Sequence, residues 1–202
     1  MNDIILQITN GTQGVNSIDA NAIVSVSAVA VALVIGFVTI IYSKKQHTRN
    51  SLTDVFSLLN TKEHKTAEHE LRRAYQTNEL FLVNQINDKF EEYYNTVRRN
   101  YAQIGVLIEE GVIPKKAYYI TFGVITVVTY IIVQEEIKRK QLTRPLFMAH
   151  FHNLAYDCLN YWIKQNLTEI HPIVDPKTNE EITLERIGRK IDSISRKKFK
   201  GF

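Results

Sequence analysis

The apolar positions of this chain change their period along its length, and each change marks an element. From Ala22 to Tyr42 (AIVSVSAVAVALVIGFVTIIY) there is no period at all: 21 residues carry no charge, with Ser25, Ser27 and Thr39 the polar members short of Tyr42. Roughly 20 apolar residues cross the ~30 Å hydrocarbon core of a bilayer as a helix, which pairs every backbone N–H and C=O within itself. The small residues Ser25, Ser27, Ala28, Ala30, Ala32 and Gly36 suit such a span. The stretch therefore predicts a transmembrane helix over 22–42. The competing reading, a buried core helix, sits poorly with so long an unbroken run.

A polar collar, residues 43–50, follows and reads as a juxtamembrane linker that can continue the anchor as a helix. Ser51-Leu52-Thr53-Asp54 reads as a helix start, with Leu52, Val55, Phe56 and Leu59 on one face, until Asn60-Thr61 interrupts. A second helix from about Thr61 turns Ala67, Leu71, Ala74 and Tyr75 inward. The longest seam lies in residues 83–109, where Ile86, Phe90, Tyr93, Val97, Tyr101, Ile104 and Ile108 recur at steps of three and four. It predicts one helix ending at Gly111, with a turn at Pro114-Lys115-Lys116.

Ala117–Val133 (AYYITFGVITVVTYIIV) is a second uncharged run, of 17 residues, with three Thr, three Tyr and Gly123. It sits at the lower limit for a span and has basic residues on both flanks, so charge gives it no orientation. It is read as the central buried helix of a bundle, with Gln134–Leu142 as its charged end. Pro145 is placed in the first turn of the next helix, whose inner stripe is Phe147, Phe151, Leu154, Cys158 and Tyr161, with Trp162 beside it. Asp175-Pro176-Lys177-Thr178-Asn179 predicts a turn in a small hairpin near 172–183. Thr183 then caps a last amphipathic helix with Leu184, Ile187, Ile191 and Ile194 on one side.

The fold class that follows is all-α: a single N-terminal transmembrane helix and a helical bundle of five or six helices. The organisation is 1–21 as a short outer segment, 22–42 as the span, 43–50 as the linker, 51–168 as the helical domain, and 169–202 as the hairpin and basic C-terminal helix. Charge orients it. The residues before the span hold Asp3 and Asp19 but no Lys or Arg, whereas Lys44, Lys45 and Arg49 follow it. Basic residues favour the cytoplasmic side, so the N-terminus is placed outside and the domain in the cytosol, at the cell membrane. A cleaved signal peptide would need a basic start, a shorter apolar core and a small-residue cleavage site, so an uncleaved anchor is favoured. Asn10-Gly11-Thr12 is a glycosylation triplet of a kind common by chance. The single cysteine, Cys158, excludes an internal disulfide and agrees with a reducing compartment.

The formal net charge of +4 is uneven. From Thr183 onward seven basic residues face two acids, and the rest of the chain is nearly neutral. Few Gly and Pro, and no repeat or low-complexity tract, agree with a helical domain.

The anchor, FSLLNTKEHKTAEHELRRAYQ, TVRRNYAQIGVLIEEGVIPK and RPLFMAHFHNLAYDCLNYW, in that order, resemble a family of uncharacterised archaeal and bacterial proteins with one N-terminal span and a helical cytosolic domain of unknown function. The resemblance covers roughly residues 50–165, most specifically Val97 to Pro114. It implies a helical fold and a membrane location and brings no catalytic residues with it.

No catalytic, cofactor-binding or metal-ligating residue is assigned, and no cofactor is expected. The six histidines show no HExxH spacing, and no GxGxxG, Walker A or GxSxG motif occurs. The paired acids Glu91-Glu92, Glu109-Glu110 and Glu135-Glu136 read as solvated charges. Two basic groups remain. Arg72, Arg73, Arg98 and Arg99 are candidate anion contacts, since guanidinium groups match carboxylate or phosphate oxygens, against the plainer reading of helix ion pairs. Arg186, Arg189, Lys190, Arg196, Lys197, Lys198 and Lys200 are candidate contacts to anionic lipid or a partner, against a solvated tail. Nucleic acid is disfavoured because interleaved aromatics are missing. The function expected is a non-enzymatic membrane-anchored interaction module whose partners are membrane lipids and a protein or a second copy. The alternatives are an accessory subunit of a membrane complex, an enzyme with a site of His and Arg, and nucleic-acid binding through the tail.

Overall fold

A computed structural model describes residues 16–191, with side chains described from Val31. The chain divides into two units, one up to His47 and one from Thr48. It is mostly helical, with seven α-helices and one two-stranded hairpin among the described residues. Helix α1 (Asn16–Leu59) begins in the first unit and ends in the second. Residues 43–50 are thus helical, and Ser51 starts nothing. Its hydroxyl instead donates to the Val112 carbonyl at 3.1 Å.

In the first unit the large apolar side chains of Val31–Tyr42 point outward on every face, from Ile41 at 53% exposed to Leu33 at 70%. Residues 22–30 of the expected span lie outside the described side chains. Among the described residues, the helix long and apolar enough to cross a membrane is Lys115–Gln141, and 67% of its apolar window is buried inside the protein.

The second unit holds α2 (Lys62–Gln76), β1 (Phe81–Leu82), β2 (Gln85–Ile86), α3 (Glu91–Glu109), α4 (Lys115–Gln141), α5 (Ala149–Lys164), α6 (Leu167–Ile170) and α7 (Leu184–Ile187). The break at Asn60-Thr61 is present, and the Thr61 hydroxyl caps α2 by accepting from the His64 amide. Ala67, Leu71 and Ala74 face the core as expected, and so does His64.

The seam over 83–109 is not one helix. Phe81 pairs with Ile86 and Leu82 with Gln85, joined by a two-residue turn in which Val83 (φ 50) and Asn84 (φ 62) are left-handed. Such a turn matches strand twist, and a turn of this hand asks for positive φ at both positions. Ile86 and Phe90 stay buried, but from β2 and a single 3-10 turn (Asp88–Phe90). Their spacing imitated a helix because a hairpin arm and a 3-10 turn returned them to the same core. In α3 the deeply buried neighbour is Tyr94, and Tyr93 is partly buried and packs against the same core.

Helix α4 is the centre of the bundle. It packs mainly on α5 and also meets α2 and α3, while α3 lies between α2 and α5. Its polar residues are used inside the fold. Tyr118 and Thr126 hydroxyls are 2.8 Å apart, Thr126 also donates to the Phe122 carbonyl, and Thr129 donates to Glu68 at 3.1 Å. The Trp162 indole donates to the Tyr119 carbonyl at 2.7 Å and passes where a Cβ on Gly123 would stand. The many β-branched residues lower intrinsic helix propensity, and the burial of most of them from Thr126 to Val133 outweighs it.

Three further boundaries move. α4 starts at Lys115, straight after Pro114, and not beyond a turn at Lys115-Lys116. Pro145 and Phe147 lie in the turns before α5, and Met148 precedes that helix at φ 54. The hairpin near 172–183 forms as one antiparallel bridge, Val174 to Glu181. The last helix, expected to carry Leu184, Ile187, Ile191 and Ile194 on one face, stops at Gly188 (φ 97) after four residues. Ile191 lies past it and Ile194 lies outside the described residues. The described part of the C-terminal region is therefore not an extended basic amphipathic helix. Residues 188–191 run along α5 instead: the Asn153 side chain bonds both the N–H and the C=O of Ile191, at 3.0 and 2.9 Å.

Candidate anion-binding cleft and the buried histidines

Glu91, Asn95 and Arg98 stand at steps of four and three, so α3 presents them on one face. That face meets the last turn of α4 and the turns after it. Together they line a cleft of about 450 Å³ whose other walls are Arg139, Lys140, Thr143, Arg144 and Phe147. Beneath it lies Glu136, 1% exposed. Arg139 donates to both its oxygens, at 2.8 and 2.6 Å, and the Lys140 ammonium lies 3.1 Å away. Burial alone would push this carboxyl up, but the bonds from Arg139 and Lys140 outweigh it and hold Glu136 below the usual carboxylate range.

Arg98 donates to Asn95 at 2.7 Å. Both Arg98 and Lys140 lie over the same two rings, Tyr94 (5.8 and 5.2 Å to the centroid) and Phe147 (5.7 and 5.5 Å). A cation over an aromatic face is stabilised by about 0.5–1 kcal/mol at exposed sites. The rings thus gather two like charges that would otherwise part.

Two histidines are buried elsewhere. His152 is held at both nitrogens: Nδ1 is 2.6 Å from the Tyr130 hydroxyl and Nε2 is 2.9 Å from the Arg189 carbonyl. A carbonyl only accepts, so Nε2 carries the proton and neutral Nδ1 accepts from Tyr130. His64 Nδ1 is 3.0 Å from the Asn100 amide nitrogen, and its Nε2 has no hydrogen-bond partner. Burial pushes both histidines below their ordinary value of 6.5; for His64 the nearby Glu63 charge opposes this, and for His152 the Arg189 carbonyl does. With folded values depressed, the unfolded chain binds more protons below about 6.5, so stability falls as pH drops through that point. Glu68, raised mainly by burial, works in the opposite sense. Melting the full chain in mild detergent is expected to show a loss of up to about 1 kcal/mol per histidine between about pH 7.5 and about pH 5.5. His152→Gln should reduce that slope, and an unchanged slope would remove His152 from its cause.

The histidines do not converge. His64 lies in the core, His152 under the C-terminal strap, and His150 pairs at 3.0 Å with Glu109 on the surface. Among the described residues no group of three or more His, Cys, Asp and Glu side chains is placed to hold a metal. The expected basic residues are dispersed. Arg72 is 3.9 Å from Glu68, and Arg73 pairs with Glu70 at 2.8 Å. Arg98 enters the cleft, whereas its neighbour Arg99 is exposed and does not line it. Arg186 is bound to the buried Asp175, and Lys190 pairs with Asp157 at 2.8 Å. The Arg189 side chain lines a shallow surface with Tyr156 and Leu184. Arg196, Lys197, Lys198 and Lys200 lie outside the described residues.

Arg139, Lys140 and Arg144 were not singled out by the sequence, where Lys138-Arg139-Lys140 reads as the flank of an apolar run. The one available signal was the charged face of Glu91, Asn95 and Arg98, and nothing local says which helix end it meets.

A helical bundle with a basic cleft is thus the class that fold and site define. Residues 22–158 match the family described as "Domain of unknown function (DUF4760)", and the chain belongs to that family. No curated protein and no solved structure matches it.

Proposed function

We propose that the chain is a membrane-anchored, non-enzymatic interaction module. Residues 22–42 form its single span, the N-terminus lies outside, and the helical domain works at the cytoplasmic face of the cell membrane. The observation that carries this reading is the exposure of every large apolar side chain from Val31 to Tyr42. A contiguous apolar surface of that kind is rare on a soluble protein and marks contact with lipid or another protein. The burial of α4 supports it from the other side, since the second apolar run then serves as core. Lys44, Lys45 and Arg49 after the span, with no basic residue before it, support the orientation.

Single cysteines at Asn16, Lys116 and Leu142 test the topology in intact cells; native Cys158, which is fully buried, stays in place. An impermeant maleimide is expected to label Asn16→Cys alone, with the other two reacting after permeabilisation. Labelling of Leu142→Cys together with Asn16→Cys would make α4 a second span. Recovery of the chain in the soluble fraction would remove the anchor altogether.

A further inference from the structure

The cations around the cleft between α3 and the end of α4 outnumber the carboxylates that face them. Arg98, Arg139, Lys140 and Arg144 meet Glu136, which is fully engaged by Arg139 and Lys140, and Glu91, which comes only within 4.0 Å of Lys140. Arg98 is held by a neutral partner, Asn95. Arg144 is exposed and forms no ion pair among the described residues. Two positive charges are left over on one concave surface. Cations commonly gather at a helix C-terminus because they complement its dipole, and that accounts for Arg139 and Lys140. It does not account for Arg98, which comes from the interior of α3, or for Arg144, which lies past the helix.

We propose that this cleft binds a phosphomonoester group, carried either by a soluble organic phosphate or by the headgroup of a phosphatidic-acid type lipid. A phosphomonoester brings about −1.5 to −2 charges near neutral pH, which matches the surplus, while a carboxylate would leave one cation unmatched. Guanidinium forks suit its oxygens, and Arg98, Arg139 and Arg144 all line the cleft. Buried Glu136 fixes Arg139 and Lys140, and the two rings fix Arg98 and Lys140. The donors are therefore ordered before a ligand arrives, which lowers the cost of binding. The volume of about 450 Å³ falls within the range of small-ligand pockets, roughly 300–1,000 Å³. The inference goes beyond the anchor reading and stands without it, since every residue of the cleft lies in the unit from Thr48.

Calorimetric titration of the full chain in uncharged detergent tests it, with glycerol phosphate and dihexanoyl phosphatidic acid as phosphate probes and glycerate as the carboxylate control. Arg144→Gln is the cleanest variant, because no ion pair is lost with it. Arg98→Gln removes the inner charge, and Arg99→Gln is the control one residue away outside the cleft. The expected result is phosphate binding that weakens with added salt, falls at least about tenfold in Arg144→Gln and in Arg98→Gln, and stays within about twofold in Arg99→Gln. Binding of both phosphates establishes recognition of the shared group, and binding of the lipid alone assigns the headgroup. The proposal is overturned if neither phosphate binds, if glycerate binds as tightly, or if the cleft variants, melting like the parent, bind as the parent does.

Discussion

Asp175→Ala is expected to lower the stability of the chain by about 3 kcal/mol, the lower end for losing one partner of a buried ion pair. Asp175 is completely buried, and its carboxylate accepts from the Tyr75 hydroxyl at 2.9 Å, from the Lys177 and Thr178 amides at 2.6 and 3.2 Å, and from the Arg186 guanidinium. Burial pushes this carboxyl up, but the two amides, Tyr75 and Arg186 outweigh it and hold it below its ordinary 3.8. Its folded value is depressed, so its contribution is present above about pH 4 and is lost as pH falls through the folded value. The same cluster, burial first and Asp175 next, pushes Tyr75 up to about 12. Arg186 is 27% exposed and can recover some hydration when its partner goes, which keeps the loss at the lower end. For a domain of this size the change corresponds to a melting temperature lower by about 6–12 °C. A loss under about 1 kcal/mol would mean that the C-terminal turn is held to α2 by other contacts.

That cluster also shows where the sequence stops being informative. Asp175-Pro176 reads as a turn, and it is one, because Asp, Pro and Asn act on their own backbone within a few residues. The burial of Asp175 depends on Tyr75, a hundred residues earlier, and no local pattern carries that. The same division holds through the fold. Ala67, Leu71, Val97, Tyr101 and Phe151 are core because helical spacing places them on one face. The α4 run is tied into the bundle by Thr129, which bonds Glu68 of α2, and by the Tyr119 carbonyl, which takes the Trp162 indole of α5. The seam from Ile86 to Ile108 misleads because spacing alone cannot tell a hairpin and a 3-10 turn from a continued helix, and Val83 is an unusual residue for a left-handed turn. The candidate cleft was legible in one residue, Arg98. Its other cations come from a segment whose composition looks like any helix end, and tertiary packing alone makes them neighbours.

Gly105→Val is expected to cost about 3 kcal/mol, near the upper end of ordinary overpacking. The glycine sits inside α3, where it lowers helix stability by about 1 kcal/mol relative to alanine, and the structure supplies the reason it is there. A Cβ at this position would stand 2.7 Å from the His150 carbonyl oxygen and 3.0 Å from its carbonyl carbon, both backbone atoms at the start of α5. Backbone cannot swing aside as a flexible side chain can, so α3 and α5 must separate. They are stacked tightly on either side of the contact, with Tyr101 and Phe151 parallel at 4.9 Å and Glu109 paired to His150. Gly105→Ala sets the gain in helix propensity against the same clash and is expected to lose about 1–2 kcal/mol. Thermal melting of both variants in detergent checks this against Gly36→Ala, where nothing lies within 4 Å of the added methyl. If Gly105→Ala were as stable as the parent, the helix contact would be yielding. Phe147, just ahead of α5, would then not be held firmly against Arg98, and the preorganisation of the cleft would lose one of its two supports.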